Sequence, residues 1–498
     1  MENKSIWVND IEEKSIKELN KNIKCDVLII GGGMTGLNTA YFLSKSKLKV
    51  CLVEQGRIGM GVSSRTTGKI NYLQETIYSD LEKYYNFDVA KMYLKSQRVA
   101  IRKIKSIINK EKIECDLDKV TSYVFTDDKD EISKIEDEKY ILKKMGIKVK
   151  EHDKVDIDLK CKYAISVDDT YVFHPVKYMY NLKRICQRKG VKVYENTRVQ
   201  NIKKVKNGYL CFTDKYEIRA KKVVVASHYP FFLKPYMIPL KVYTEKSYVT
   251  ASLVDEYRNE TMITNNLPCK SIRYHRSDNK NYMIYLSNSH NLCNDINVKK
   301  NMDSTIREAK YLGLKPSYIW INDDMITVDK MPYIGRLEKK NNRLLIGTGY
   351  NTWGMTNSVL AGMILSDMIL RKKNEYEKLF DPLRVNVISD IDSYLTNIGS
   401  SMKSFFQNKI VKNKKWYPES VSFEIRNGKN VAIYNDGEQE HIVLSNCPHM
   451  GCTLLFNETE KTWDCPCHAS RFDIDGRCIK GPSSYDISYE EKVLDEEL

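Results

Sequence analysis

The amino-acid sequence predicts an α/β fold: a parallel-sheet domain around a glycine-rich βαβ unit, an α+β portion inserted into it, and a small all-β domain towards the C-terminus. Three observations carry this. A nearly continuous apolar run, Cys25-Asp26-Val27-Leu28-Ile29-Ile30, leads into Gly31-Gly32-Gly33-Met34-Thr35-Gly36, a helical pattern and a second apolar run that stops at Glu54. Residues 240–325 contain runs rich in aromatic and β-branched residues, such as 246–250 (KSYVT) and 282–286 (YMIYL). After Trp416 and Tyr417 the pattern changes to short runs broken by Asn427-Gly428 and Asp436-Gly437, dipeptides that favour tight hairpin turns.

Length and composition bound the answer. A chain of 498 residues exceeds what one hydrophobic core supports, and suggests about three domains. With 42% hydrophobic and 10% aromatic residues it has ample material for packed cores. The formal charge of +15 is spread among abundant Asp and Glu, and no nucleic-acid-binding motif accompanies it, so no nucleic-acid partner is expected. Of 13 cysteines, five fall between Cys447 and Cys478; others, such as Cys25, Cys51 and Cys186, stand singly in apolar contexts and read as reduced core residues. That favours a cytoplasmic location. The N-terminal residues, MENKSIWVNDIEEKSI, carry acids where a signal peptide needs an apolar core, and no apolar run approaches the roughly 18 residues needed for a transmembrane segment.

The βαβ unit has a physical logic. The apolar run 25–30 suits a strand buried on both faces. Gly31 makes the tight turn, Gly33 lets the backbone approach a pyrophosphate, and Gly36 allows close packing of helix on sheet. Phosphate charge is then stabilised at the helix N-terminus, with Met34 in its first turn. Glu54, which ends the second strand, can accept hydrogen bonds from ribose hydroxyls and disfavours a 2'-phosphate. Lone glycine patterns are weak evidence, whereas strand, glycines, helix, second strand and acid in register are strong.

The segment after Glu54 and Gln55 points to the kind of dinucleotide. Residues 59–68 (GMGVSSRTTG) form a small-residue loop with hydroxyls and an arginine, able to pass close to a second cofactor ring. This loop resembles the segment beside FAD in the D-amino-acid-oxidase and glycine-oxidase-like flavoproteins. Members with covalent FAD can carry a histidine there; none occurs here, which implies non-covalent FAD. The resemblance continues through Tyr171-Val172-Phe173-His174-Pro175, through a run ending at Val199, which it places against the adenine, and through the apolar run 223–227 (VVVAS). It ends at Met331-Pro332-Tyr333-Ile334-Gly335 and the stretch 347–357 (GTGYNTWGMTN), which precedes a helical pattern from Ser358 to Leu370. A helix N-terminus aimed at the flavin would stabilise negative charge on the reduced ring. By resemblance, Gly31, Gly33, Met34, Gly36, Glu54, Gln55, Ser64, Arg65, Thr67, Val199, Gly349, Gly354, Met355 and Thr356 bind FAD. No second G-x-G-x-x-G is present for a nicotinamide cofactor.

These positions organise the chain. Cofactor-binding segments fall at about 20–75, 155–230 and 325–380, and a substrate domain at about 79–150, read as mostly helical, and 240–325, read as β-rich; together they make an oxidoreductase over 1–384. Residues 385–411 form a helical connector, because Ile388, Ile391, Leu395, Ile398, Met402 and Phe405 recur at steps of three and four. This apolar stripe fits a connector packed on its own domains; Lys409, Lys412, Lys414 and Lys415 also allow a helix in peripheral contact with a membrane or a partner.

Residues 412–498 carry the second cofactor. The knuckles CPHMGC (447–452) and CPCHASRF (465–472) supply two thiolates and two imidazoles, the set a two-iron cluster of mixed ligation requires. Structural zinc sites usually pair like with like, whereas each knuckle here is mixed. Both resemble the Rieske [2Fe-2S] family, whose pattern is C-x-H-x-G-C followed by C-P-C-H-x-S-x-F. The resemblance implies that Cys447, His449, Cys465 and His468 bind iron, and that Cys452 and Cys467 form a disulfide bracing the loops. It also puts Ser470 beside a cluster sulfide. Phe472 stands where high-potential respiratory members have tyrosine, which implies a lower potential.

The whole chain resembles a bacterial group that fuses this flavoprotein fold to a C-terminal Rieske domain. The fold class is then α/β, a Rossmann-like FAD-binding domain, with an α+β substrate domain and an all-β Rieske domain. The pairing implies an enzyme that oxidises a small amine or amino-acid-like substrate by hydride transfer to flavin and passes electrons singly to the cluster, then to a one-electron acceptor, protein or quinone. Imidazole ligation puts such clusters at about −150 to +300 mV, so electrons should flow from flavin to cluster. The alternative is a non-catalytic flavin and iron-sulfur carrier or redox sensor. A Rieske oxygenase would need a further iron held by two His and a carboxylate, and His152, His174, His228, His275, His290 and His441 show no close pairing. For the substrate pocket the candidates are Arg273, as a carboxylate partner, with Tyr248, His228 and His290; no catalytic acid or base stands out, and His174 before a proline reads as a turn residue.

Overall fold

The computed structural model describes residues 1–9, 17–155, 159–231, 238–277, 279–292, 297–339, 341–384 and 420–490. The chain forms two compact units, one of Met1–Asn291 with Lys300–Ile391, the other of Leu292–Lys299 with Asp392–Leu498. The connector expected over 385–411, with its apolar stripe, lies outside the described residues.

The large unit is built on two sheets. The first has parallel strands in the order Lys192–Tyr194, Val50–Val53, Ile23–Ile30, Glu217–Val225 and Asn341–Thr348, edged by antiparallel Tyr333–Glu338. Ile23–Ile30 is central, and Val27, Leu28 and Ile29 have no exposed surface, which explains why this strand is almost wholly apolar. A hairpin of Val199–Val205 and Gly208–Thr213 joins through Glu217–Val225. Helix Met34–Leu43 is apolar nearly all round because it is covered by the sheet and by helix Gly354–Ile369, where a Cβ on Gly362 would come within 2.9 Å of the Asn38 Cβ.

The second sheet has nine strands. Pro316–Thr327, Val242–Val254, Lys280–Asn291, Ser271–Ser277, Glu260–Thr264, Asp118–Thr126, Tyr163–Val172 and Lys69–Ile70 follow in order, and Lys150–His152 adds to Tyr163–Val172. The β-rich reading of 240–325 thus holds. Residues 79–150 contain helices Ile77–Tyr84, Phe87–Glu111 and Ile132–Lys144, but also strand Asp118–Thr126, whose alternating Val120, Ser122 and Val124 bury one face. Strand Tyr163–Val172, from the segment read as cofactor-binding, pairs into this second sheet.

In the small unit, strands Ser420–Arg426, Lys429–Asn435 and Glu440–Leu444 form a meander. Asn427 and Gly428 take φ of +48° and +71°, the left-handed pair a two-residue hairpin demands. A second sheet, of Leu455–Asn457, Thr462–Asp464, Arg471–Phe472 and Cys478–Lys480, carries the Cys/His loops. Trp463 and Phe472 have no exposed surface and centre its core. No helix among the described residues is long and apolar enough to cross a membrane.

Candidate functional site

The glycine turn is shaped for close backbone approach. Gly31 has φ +107°, and a Cβ there would meet the Ala226 carbonyl oxygen at 2.4 Å; one on Gly36 would lie 1.9 Å from the Gly31 oxygen. The N-cap of helix Met34–Leu43 is Gly33, so no side chain of its own closes the helix end. Ser63 Oγ accepts from the Met34 N–H at 3.3 Å, and the Glu54 carboxylate accepts from the N–H groups of Gly32 and Gly56 at 2.7 and 3.0 Å. Burial pushes Glu54 up while those backbone donors oppose it. An anion at this end meets the positive pole of the helix, and the Glu54 carboxylate, with backbone donors at Gly32, Gln55 and Gly56, keeps acceptor capacity for a hydroxyl.

The loop that follows is tied to the second sheet. Trp7 Nε1 donates to the Thr66 oxygen at 2.7 Å, and Trp320 Nε1 to the Arg65 oxygen at 2.8 Å. Arg65 donates to the Ile321 oxygen at 3.3 Å, while Ser64, buried, donates to the Gly61 oxygen at 2.9 Å. Thr356 Oγ1, in the first turn of helix Gly354–Ile369, exchanges 3.2 Å hydrogen bonds with both backbone groups of Asn71. Gly349 has φ +69°, and a Cβ there would strike Thr327 at 2.5 Å. Two glycine-bearing turns and the 59–68 loop thus belong to one connected region of the large unit. Val199 is buried among Cys25, Leu28 and Tyr194, and Gln55 is exposed.

Arg273 departs from expectation. Only 1% exposed, it donates through Nη1 to the carbonyls of Thr67, Gly68 and Phe173 and through Nε to that of Tyr274. It clamps the loop to the sheet and is no carboxylate partner. Tyr248 and His290 stack with ring centroids 5.8 Å apart, and His228 takes φ +63° after strand Glu217–Val225. His174 caps helix Pro175–Arg188, its Nδ1 accepting from the Lys177 N–H at 3.1 Å.

In the small unit Cys452 and Cys467 form a disulfide. Cys447 and Cys465 are each 1% exposed and interact thiol to thiol, which favours ionisation of Cys447. The rings of His449 and His468 stand edge to face at 5.1 Å. Burial pushes His449 down to about 4 and His468 to about 3, so both imidazoles are neutral near pH 7, the form that donates a lone pair to a metal. The Cys465 thiol also lies within 4.8 Å of the sulfurs of the disulfide, which therefore braces it. Ser470 Oγ accepts from the Ser483 N–H at 2.9 Å. Two thiols and two neutral imidazoles on adjoining loops fit a mixed-ligand iron pair.

Comparison with known families bears on both units. Residues 26–368 match the family described as FAD dependent oxidoreductase. The chain belongs to that family. Residues 408–489 match the Rieske [2Fe-2S] domain. YhfW of Bacillus subtilis (strain 168), described as a Rieske 2Fe-2S iron-sulfur protein, is 28% identical over 490 residues, covering 96% of this chain and 95% of its own. Gamma-glutamylputrescine oxidoreductase of Escherichia coli (strain K12) is 24% identical over 372 residues, covering 70% of this chain and 85% of its own. Glycine oxidase from Geobacillus kaustophilus superposes with a TM-score of 0.60 at 19% identity, over 73% of this chain and all of that one, and shares the fold. This FAD dependent oxidoreductase accordingly takes FAD in the large unit and a [2Fe-2S] cluster in the small one.

Several residues of the large-unit site escaped the sequence. Ser63 rather than Ser64 faces the helix end, and the two are indistinguishable as letters. Trp7 reaches Thr66 across 59 positions, with only its isolated aromatic character as a signal.

Proposed function

We propose that the chain oxidises a small amine or amino-acid-like substrate at the carbon beside nitrogen and passes the electrons singly to its iron-sulfur cluster and then to a protein or quinone acceptor. The observation that carries this reading is the presence, in one chain, of a glycine-turn FAD fold and a two-thiol, two-imidazole cluster site. FAD, when bound, supplies a hydride acceptor; the cluster carries one electron at a time.

In this reading Gly31, Gly33, Met34 and Gly36 leave room for the pyrophosphate at the helix N-terminus, and Glu54 with Gln55 holds the ribose. Val199 lies against the adenine. Ser64, Arg65 and Thr67 with Gly349, Gly354, Met355 and Thr356 flank the ring system, the helix N-terminus at Gly354 favouring negative charge there. Cys447 and Cys465 hold one iron, His449 and His468 the other. The names of the relatives, one an oxidoreductase of gamma-glutamylputrescine and one an oxidase of glycine, support a nitrogen-bearing substrate. Buried free thiols such as Cys25, Cys51 and Cys186 support a reducing, cytoplasmic setting.

The test is an anaerobic screen of amines and amino acids that follows flavin bleaching and the reduced-cluster EPR signal together. Bleaching followed by the EPR signal is expected. Failure of every small molecule to bleach the flavin would favour a non-catalytic carrier instead.

A further inference from the structure

In the core of the large unit, a chain of buried polar side chains takes no part in the contacts described above. Gln97 has no exposed surface and lies inside helix Phe87–Glu111, whose neighbouring buried residues include Tyr93, Leu94, Ala100 and Ile101. The Tyr93 hydroxyl donates to Gln74 Oε1 at 2.8 Å, Gln74 Nε2 to Gln97 Oε1 at 3.0 Å, and Gln97 Nε2 to Asn357 Oδ1 at 2.9 Å. Asn357, also without exposed surface, donates to the Tyr350 oxygen at 3.5 Å. Gln74 Nε2 donates as well to the Asn71 oxygen at 3.1 Å, the atom that Thr356 Oγ1 reaches from the first turn of helix Gly354–Ile369. The chain therefore closes a ring on that turn.

Groups that can act in only one sense fix the direction of the chain. The Asn71 carbonyl can only accept, so the amide nitrogen of Gln74 faces it and the amide oxygen faces Tyr93. The Ser96 hydroxyl commits its hydrogen to the Tyr93 oxygen at 2.6 Å and accepts from Gln97 Nε2 at 3.4 Å, which orients the second amide the same way. The amides of Gln74, Gln97 and Asn357 thus stand head to tail, with their N–H ends towards Tyr350 and the start of helix Gly354–Ile369. Aligned amides polarise one another, and the positive potential at the end they point to has the same sign as a helix N-terminus. Apolar side chains of similar volume would fill this core without the desolvation cost of amides. What the amides add is a fixed orientation of the helix end.

We propose that Gln97 is a positioning residue for the flavin: through Asn357 it holds the first turn of helix Gly354–Ile369 and aims a row of amide dipoles at it, which raises the potential at which the flavin accepts electrons. This rests on the reading that seats the flavin ring beside that turn, and deepens it. Gln97 acts through Asn357 and Gln74, and the chain itself passes on neither proton nor electron.

The test is a redox titration of the FAD-loaded full chain, with the flavin read by absorbance against a reference dye and the cluster followed separately by EPR. Gln97→Met keeps the side chain's length and helix propensity and removes the amide. It should make the flavin harder to reduce: at a fixed applied potential the ratio of reduced to oxidised flavin should fall roughly tenfold, about 30 mV for a two-electron couple. Gln74→Met should act in the same direction, and carries the test if flavin content and thermal unfolding show that Gln97→Met does not fold. Ile104→Val is the control for general loosening, since Ile104 is fully buried in the same helix; it should lower thermal stability and leave the flavin ratio within twofold of wild type. A ratio within twofold of wild type in a folded glutamine variant, or an equal shift in Ile104→Val, would overturn the assignment. Thr352→Asp tests the underlying reading: Thr352 has φ +65°, which aspartate tolerates, and the new charge sits just before the helix start. A lowered potential in Thr352→Asp beside an unchanged one in Gln97→Met sinks the positioning role and leaves the flavin placement intact. Wild-type potentials in both sink the placement as well, and a shift in Gln97→Met alone overturns the proposal because the effect would not run through the helix end.

Discussion

Gly36→Ala isolates the close approach of helix and glycine turn. Gly36 lies inside helix Met34–Leu43, so alanine suits its backbone, and helix propensity favours the variant by about 1 kcal/mol. The added Cβ, however, would stand 1.9 Å from the Gly31 carbonyl oxygen, where real Cβ atoms keep at least 3.0 Å, so the backbone must retreat by about 1.1 Å. No rotamer change relieves a contact on backbone, so the cost belongs near the upper end of overpacking, about 3 kcal/mol, and net destabilisation is about 2 kcal/mol. The displaced atoms are those aimed at the pyrophosphate. Losing one charge-assisted hydrogen bond, about 1.5–3 kcal/mol, weakens FAD binding by roughly ten- to a hundredfold. Fluorescence titration of apoprotein with FAD reads the affinity, and urea unfolding reads the stability. Gly61→Ala is the control, since nothing lies within 4 Å of its added Cβ. Wild-type FAD affinity in Gly36→Ala would refute the reasoning.

Three further perturbations have expected outcomes. Lys183→Met strands Glu195, its partner at 2.7 Å, with both side chains almost wholly buried, and should cost about 3–5 kcal/mol in urea unfolding. Glu138, with no exposed surface, accepts from the N–H groups of Tyr78 and Ser79, and burial pushes it from 4.5 up to about 8. The folded state therefore binds the extra proton between those values: stability is greatest below pH 4.5 on this account and falls as pH rises to 8. Glu138→Gln should flatten that part of the stability-versus-pH curve and raise stability at pH 9. Replacing Cys452 and Cys467 together by serine opens a loop closed across 15 positions and should destabilise the small unit by about 3 kcal/mol, read as earlier loss of the cluster's visible absorbance on heating.

The parts legible in the sequence are those where local chemistry leaves little choice. Gly31 and Gly36 announce a turn because only a missing Cβ fits against Ala226 and the Gly31 carbonyl, and Asn427-Gly428 announces a hairpin because of its left-handed pair. The CPHMGC and CPCHASRF knuckles bring donors of the correct kind together within a few residues, so fold-level information is hardly needed. Long-range placement is different. Arg273 carries the same letters whether it faces a ligand or four carbonyls, and only the assembled sheet and loop settle its role. Strand Asp118–Thr126 hides between two helices rich in charge, and its membership of a sheet depends on Tyr163–Val172 and Glu260–Thr264 beside it.

The central claim, that electrons gathered at the flavin leave singly through the cluster, is tested most directly by an anaerobic single turnover with an amine that bleaches the flavin, freeze-quenched and read by EPR. The account predicts that the reduced-cluster signal grows after bleaching, and that Cys465→Ser bleaches equally yet gives no such signal. A flavin that stays fully bleached beside an oxidised cluster in the wild-type chain would contradict it.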